Sequence, residues 1–487
     1  MKNKFATLNI TEALNNFSEI VTKALEISDV ENWDGNQFLD KEKIIRESAL
    51  VLAGECICLL LHKLSQSKQV EDTAIIKTKG WWHPSSVRNG KYCRNIKTVG
   101  NVSVNLELTY VIERNRESKK KVNSRKQGFF PFLRWLGISE GVTPYLWSNI
   151  AKYGTNSSSF EVAKKTLQDW GIKISTRRIE SLTYKFGKIG LSLRQSKLFA
   201  LSQGKLTQNP IFKDQRVVIS TDGGRAKIRT NKKGKPHSKT KRHGYIGEWI
   251  EPKLLTIYAV DGKGKKIKNI DIPVINDGTF EDYKGFLKIL EMYLINLGVN
   301  QAKQVLFIAD AAEWMWKHIP PLLKRLSCPL LTYNLLDFYH VAQHLNCFAD
   351  AAFTEDIERI KWFKKSRRQL KKGDIKNLLQ EMNMIIKNAT VENLKALNTE
   401  FRYLLRAYRH RRLNYTQIAA QNLPIGSGAI ESLIRQVVNL RMKGNGKFWL
   451  RNNAEIMLHS RCQWIAENWN KFSNEILTCF LNPGTTG

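Results

Sequence analysis

The spacing of apolar residues changes along this chain, and each change predicts a different kind of element. Over residues 1–75 the period is helical: Ile45, Ala49, Leu52, Cys56 and Leu59 share one face, with Arg46, Glu47 and Glu55 between them. A short β section follows. Thr98-Val99-Gly100-Asn101-Val102 reads as a hairpin turn, and Val102, Val104, Leu106 and Leu108 alternate like a half-buried strand. Arg114 to Lys126 is polar and basic, which predicts a linker.

Helical spacing returns over 131–205. Ser157-Ser158-Ser159 can cap a helix whose apolar face is Val162, Ala163 and Leu167. Gly171 supplies a turn, and Ser175 can cap a second helix beginning Thr176-Arg177-Arg178, with Ile179 and Leu182 inside. That is a helix-turn-helix pattern, and it puts Arg177 and Arg178 where they could enter a DNA major groove. An ordinary helical hairpin has the same pattern.

From 212 the texture becomes strand-like. Arg216–Thr221 is an apolar run ending at Asp222, Leu254–Val260 is a second and Ile267–Ile275 a third. An amphipathic helix, Phe280–Leu297, leads to the buried run Gln304–Ala309, which ends at Asp310, and then to Leu330–Leu336, which ends at Asp337. Strands followed by helix–strand–helix–strand predict an α/β domain with a mixed sheet and flanking helices. Residues 351–420 are helical and basic, an all-helical insertion carrying Lys365, Arg367 and Arg368. After Pro424 the turn Gly426-Ser427-Gly428 starts a helix from Ala429 to about Met442. The expected divisions are therefore an N-terminal helical region (1–75), a small β region with its linker (76–130), a helical DNA-binding region (131–205), and an α/β core (206–350) interrupted by the insertion (351–420) and completed by 421–487.

Charge narrows the function. The chain has 487 residues, with 78 Lys and Arg against 44 Asp and Glu, a net of +34. So large a surplus repels itself unless a polyanion is the partner, and nucleic acid fits best. A membrane surface fits less well, because no basic amphipathic terminus or lipid anchor is evident. The apolar run Ala49–Leu61 is broken by Glu55 and falls short of the roughly 20 residues a span requires. Met1–Asn16 has no apolar signal region. Seven scattered cysteines with no Cys-x-x-Cys pair suit a reducing cytoplasm.

Candidate chemistry rests on acids. Asp222 and Asp310 end buried strands, and Glu431 stands near the start of a helix after a glycine turn. Carboxylates at strand ends meet at one edge of an α/β sheet. Clustered there, they suit Mg²⁺, or Mn²⁺ as a substitute, and two such ions can serve phosphoryl transfer. Nine Lys and Arg and no acid lie between Gly223 and His243, among them Arg225, Lys227, Arg229, Lys232 and Lys233. Gly and Pro interrupt this run, so it reads as a loop suited to phosphates. Asp337 and His340 share a helical face, and His344 follows one turn later, but Val341 stands where a zinc protease would have its glutamate. Support of the acid site is the better reading for Asp337 and His340. Gly426-Ser427-Gly428 lacks the Lys of a phosphate loop. Trp314 and Trp316 read as core more readily than as platforms for bases.

These residues resemble a family. Thr221-Asp222-Gly223, Ala309-Asp310-Ala311-Ala312-Glu313-Trp314, Leu336-Asp337-Phe338-Tyr339-His340 and Ile425-Gly426-Ser427-Gly428-Ala429-Ile430-Glu431-Ser432 stand in that order, followed by Arg441-Met442-Lys443-Gly444-Asn445-Gly446-Lys447-Phe448-Trp449. The set looks like a DDE-type bacterial insertion-sequence transposase, nearest the ISKra group and more distantly like Mutator-type enzymes. The resemblance covers about 210–465. It implies an RNase H-like core with a helical insertion before the last acid, and Asp222, Asp310 and Glu431 as a triad holding two Mg²⁺. Relatives often carry a Cys-x-x-Cys pair where this chain has Ile112-Glu113-Arg114-Asn115, so an N-terminal zinc site is not expected. Ala312-Glu313 replaces a commoner Gly-Ala.

The resemblance implies a protein of the bacterial cytoplasm and nucleoid that binds double-stranded DNA, both transposon ends and target, as a homo-oligomer, expected to be a dimer. It would cut strands and join them. Arg435, Arg441 and Lys443, near the last acid, join the expected DNA contacts. Two alternatives stay open: an inactive or domesticated transposase-derived DNA-binding protein, and another RNase H-like nuclease.

Overall fold

The computed structural model describes residues 4–27, 33–82, 84–113, 128–241, 243–269 and 271–479; the basic linker 114–126 lies outside the described residues. The chain divides into two compact units, Met1–Ser196 with Trp469–Gly487, and Lys197–Asn468.

In the first unit, β1 (Lys4–Phe5) precedes α1 (Ile10–Leu25), α2 (Gly35–Gln66) and α3 (Lys68–Lys77). Asn9 and Asp34 cap α1 and α2, each side chain accepting from two amides of the first turn. β2 (Ser86–Lys97) and β3 (Val102–Glu113) form the predicted antiparallel hairpin, with β4 (Gly128–Phe129) beside β3. Its apolar face (Ile96, Val102, Val104, Leu106, Leu108) packs on Cys58 and Leu61 of α2 and on Ala74 of α3. The turn sits so close to α2 that a Cβ on Gly54 would stand 2.4 Å from the Val99 carbonyl oxygen. That close approach is why a glycine interrupts the long helix.

Helices α4 (Pro131–Trp135), α5 (Pro144–Asn156), α6 (Phe160–Asp169) and α7 (Thr176–Ser202) follow. The predicted helix pair is α6–α7. Ser159 Oγ accepts from the Val162 amide at 3.1 Å and Ser175 Oγ from the Arg178 amide at 3.3 Å, and Gly171 takes a positive φ of 66°. Ala163, Leu167, Ile179 and Leu182 are buried, but Val162 is 43% exposed and leaves the predicted apolar face.

In the second unit β5 (Arg216–Gly223) leads into β6 (Ala226–Lys233) and β7 (Gly244–Ile250), then β8 (Lys253–Val260) and β9 (Ile275–Thr279). Next come α8 (Tyr283–Asn296), β10 (Gln304–Ala309), α9 (Glu313–Arg325) and β11 (Thr332–Leu336). The five-stranded sheet runs β11-β10-β5-β8-β9. β10 is parallel to both β5 and β11, and β8 is antiparallel to both β5 and β9. The unit is therefore α/β with a mixed sheet.

Two expectations change here. The third strand is not Ile267–Ile275 but Ile275–Thr279, whose sequence, Ile-Asn-Asp-Gly-Thr, shows little hydrophobic pattern. It is buried all the same, because Asp277 accepts from Tyr293 Oη at 2.8 Å and pairs with His459 at 2.9 Å. The basic run after Gly223 is not a loop throughout. It holds the strand β6, which pairs antiparallel with β7 through a bulge at Thr230.

Helices α10 (Phe338–Ala352), α11 (Asp356–Lys372), α12 (Ile375–Lys387), α13 (Val391–Arg409) and α14 (Tyr415–Ala420) follow β11. Leu370, Leu378, Met382, Leu397 and Tyr415 of these helices share one core with the sheet residues Val218, Phe307 and Leu335. The chain then forms α15 (Gly428–Ile434) and a wide π-turn, Arg435–Asn439. β12 (Trp449–Leu450) adds to β6, and α16 (Arg451–Ile465) packs on β9. The last helix, α17 (Trp469–Thr478), belongs to the first unit, where Trp469 stacks on Phe186.

Candidate active site

Register brings three acids into line. Thr221 pairs with Ala309 and Ala309 with Leu336 across three adjacent parallel strands. The next residue on each strand is Asp222, Asp310 or Asp337, so all three stand at one end of the sheet, on strands about 4.8 Å apart.

Asp222 and Asp310 follow paired positions on the adjacent strands β5 and β10. Asp222 Oδ1 accepts from the Gly223 amide at 2.6 Å, and Asp310 Oδ1 from the Ala312 amide at 3.0 Å. Burial first, then the carboxylates of Asp310 and Glu251, push the Asp222 carboxyl up to about 6; the Gly223 bond and nearby His340 act in the opposite direction. Glu251 lies directly over the strand end, since a Cβ on Gly223 would stand 2.1 Å from its Oε1. Neighbouring carboxylates that offer only oxygen donors suit a hard divalent cation.

Asp337 does different work. It is fully buried, and Oδ1 caps α10 by accepting from the His340 amide at 2.8 Å. Oδ2 accepts from the Ser427 amide, and the Phe338 amide donates to the Ile425 carbonyl at 3.1 Å. These bonds fasten the Gly426-Ser427-Gly428 turn to the end of β11. Gly426 is required there because a Cβ would meet the Tyr339 ring at 2.5 Å. Ser427 Oγ in turn donates to Glu431 Oε1 at 3.2 Å.

Helix α15 packs against β5 and β8, with Ile434 and Val438 over Gly224. Glu431 is thus carried by a helix seated on the strand that carries Asp222. The π-turn beyond it frees backbone carbonyls, and the buried Arg461 takes them: Nε donates to the Val437 carbonyl at 3.1 Å and a terminal nitrogen to that of Gln436. Among the described residues, however, no three Asp, Glu, His or Cys side chains stand close enough to share one metal ion. His344 does not join His340 at the acids. Its Nδ1 pairs with Glu400 at 2.5 Å and its ring stacks on Tyr403. Trp316 is buried in the core, and its indole N–H donates to the Asp310 carbonyl at 2.6 Å.

The candidate DNA contacts separate by exposure. Arg225, Arg229, Lys232 and Lys233 are exposed on or beside the β6–β7 hairpin, as are Arg367 and Arg368 on α11, and Arg435, Lys443 and, in the first unit, Arg177. Lys227 Nζ sits 4.8 Å from the Phe448 ring centroid and 5.8 Å from that of Trp249, and the Arg229 guanidinium lies 4.2 Å over Tyr245. Other side chains are already engaged. Arg178 bonds to the carboxylate and carbonyl of Glu140, and Lys365 pairs with Glu381 at 2.9 Å. Arg441 is buried over Trp449. Glu251 and Ser427 carried no signal in the sequence as site residues; Glu251 precedes a strand as any turn acid does.

No protein-family profile matches this chain, and no curated protein matches it. Among solved structures it is similar to a chain of the Drosophila P element transposase strand transfer complex, with 8% identity, over 68% of this chain and 80% of that one, at a TM-score of 0.25. A TM-score that low supports no argument about fold or activity. Among the described residues no helix is long and apolar enough to cross a membrane.

Proposed function

We propose that the chain is a transposase of the DDE type, nearest the ISKra group, with an RNase H-like core that cuts and joins DNA strands. The observation that carries this reading is the register of β5 and β10, which sets Asp222 beside Asp310 with Asp222 held above its ordinary range. Asp222, Asp310 and Glu431 would hold two Mg²⁺ ions, which supply activation of the attacking oxygen and stabilisation of the leaving one. Asp337 and His340 support these acids: Asp337 seats the turn before Glu431, and His340 stands near Asp222. The exposed cations of the β6–β7 hairpin and of α11 hold the phosphate backbone, with Lys227 and Arg229 steadied on aromatic rings. Partners in this reading are transposon-end and target DNA and a second copy of the chain, in the bacterial nucleoid.

The test uses DNA flanking the reading frame. Inverted repeats there supply the substrate. With Mg²⁺, the reading expects a strand cut at the repeat end and then joined to a second duplex. Cutting of branched DNA without joining points to another RNase H-like nuclease instead.

One observation favours a second reading, a transposase-derived DNA-binding protein without chemistry. Glu431 is hydrogen-bonded to Ser427, and among the described residues no three potential ligands converge. Repeat binding with no Mg²⁺-dependent cutting by the unaltered chain would establish it.

A further inference from the structure

The β6–β7 hairpin carries more aromatic surface than phosphate binding uses. Along its ladder Lys227 pairs with Trp249 and Arg229 with Gly247, and beyond the bulge at Thr230 Lys232 pairs with Tyr245. Paired residues point to the same side, and alternate residues share a face. The extra residue at the bulge keeps Lys232 in step with Lys227 and Arg229. These three cations therefore share one face with Tyr245 and Trp249. Phe448, just before β12, reaches the same face. Its ring lies over Gly247, where a Cβ would stand 3.3 Å from it, and its centroid is 5.2 Å from that of Tyr245 with planes at 63°.

The other face differs. Ala226 and Ile228 are buried there, and Glu248, the sole acid in the sequence from Arg225 to Ile250, pairs with Ile228. The aromatic face thus carries cations and no acid. Trp249 is 54% exposed, and Tyr245 and Phe448 are half-buried. Rings and cations together say what this face fits. A phosphate backbone needs only the cations. A duplex hides the faces of its bases in its own stack, whereas an unpaired strand offers them. Stacking on aromatic side chains along a basic surface is how single strands are held without reading their sequence. The position fits as well. Lys227 follows Asp222 by five residues, at most about 17 Å of extended chain, and Glu251, the residue after β7, lies against Gly223.

We propose that this face is a platform for single-stranded DNA: unpaired bases stack on Trp249 and on the open parts of Tyr245 and Phe448, while Lys227, Arg229 and Lys232 hold the phosphates between them. The inference rests on the DNA-cutting reading for the identity of the partner. It gives an unpaired strand a holding place beside the acids.

The test measures, by fluorescence anisotropy without divalent metal, how the full-length chain binds an oligo(dT) of about 20 nucleotides, longer than one such site, and a duplex and an oligo(U) of the same length. Trp249→Leu keeps an apolar side chain and removes the ring, Trp249→Phe keeps a smaller ring, and Lys227→Ala removes a cation. Trp249→Leu should bind oligo(dT) about 10-fold more weakly, the loss of one stacked base, and the duplex less than about 2-fold more weakly, since Lys227 keeps its contact with Phe448. Trp249→Phe should recover part of the loss. Lys227→Ala should weaken binding to both. The duplex arm also shows that each variant is folded. Unchanged oligo(dT) binding by Trp249→Leu, or equal losses on oligo(dT) and duplex, overturns the platform, while Mg²⁺-dependent cutting by the unaltered chain leaves the DNA-cutting reading standing. Tighter binding of oligo(U) than of oligo(dT), with the same dependence on Trp249, overturns the assignment to DNA. An unaltered chain that does not cut, yet shows the split between oligo(dT) and duplex, overturns the cutting reading and supports the platform.

Discussion

Asp337 and Ser427 are 90 positions apart in the chain, and the Ser427 amide donates a hydrogen bond to Asp337 Oδ2. The whole helical insertion lies between them, so this bond closes the insertion onto the sheet. Around it the Leu336 amide donates to the Arg412 carbonyl at 2.9 Å, and Tyr415 Oη to the Leu336 carbonyl at 3.0 Å. The strand end, the cap of α10 and the turn that leads to Glu431 are thus tied at one buried carboxylate.

Asp337→Ala should therefore cost both stability and activity. It strands the buried Ser427 amide and the part-buried His340 amide, at a cost of up to about 1–3 kcal/mol each if nothing replaces the acceptor. Urea unfolding should show a lower midpoint, and strand cutting should fall further than the loss of folded protein explains. An Asp337→Ala chain with unchanged stability would remove the tether from the account.

Arg461 tests the π-turn. Its guanidinium satisfies the Val437 and Gln436 carbonyls, and burial, then Arg441, lower its pKa to about 10. Arg461→Met keeps much of the volume and leaves those carbonyls unpaired. A loss of about 2–3 kcal/mol is expected by chemical denaturation.

The β6–β7 hairpin should act through phosphates. Alanine at both Lys227 and Arg229 should weaken binding to repeat and unrelated duplexes alike. The slope of log affinity against log salt should shrink by about 1 for each phosphate no longer neutralised. Binding isotherms at several salt concentrations give both numbers. Weakening confined to the repeat sequence would assign these side chains to base reading.

Asp222 predicts a pH effect. Its folded pKa, near 6, lies above the ordinary value of 3.8, so between these values the folded chain holds the proton and the unfolded chain releases it. Its contribution to stability is thus fully present below about pH 4 and is lost as pH rises through 6. In divalent-free buffer, Asp222→Asn should be more stable than the unaltered chain at pH 7.5, by at most about 3 kcal/mol at ~1.4 kcal/mol per unit, and should show no advantage at pH 4. Denaturation curves at the two values decide it.

The strands beside the acids were legible because Arg216–Thr221 and Gln304–Ala309 are largely apolar, buried runs, each followed directly by an aspartate. The same logic failed at Ile275–Thr279, where Asp277 is buried by pairing with Tyr293 and His459 rather than by being apolar. The hairpin was missed because Lys and Arg alternate with Ile228 and Ala226 too sparsely to show a period of two. Arg178 illustrates a different limit. The helix and its cap followed from local chemistry, but the pairing of that arginine with Glu140, 38 positions away, did not.

The most direct measurement of the central claim is Mg²⁺-dependent cutting of repeat-end DNA by the unaltered chain, Asp222→Asn and Asp310→Asn, with DNA binding measured on the same preparations. The account predicts that all three bind the ends, that the unaltered chain cuts and joins them, and that each variant cuts at least ~10³-fold more slowly. Full-rate cutting by either variant would contradict it.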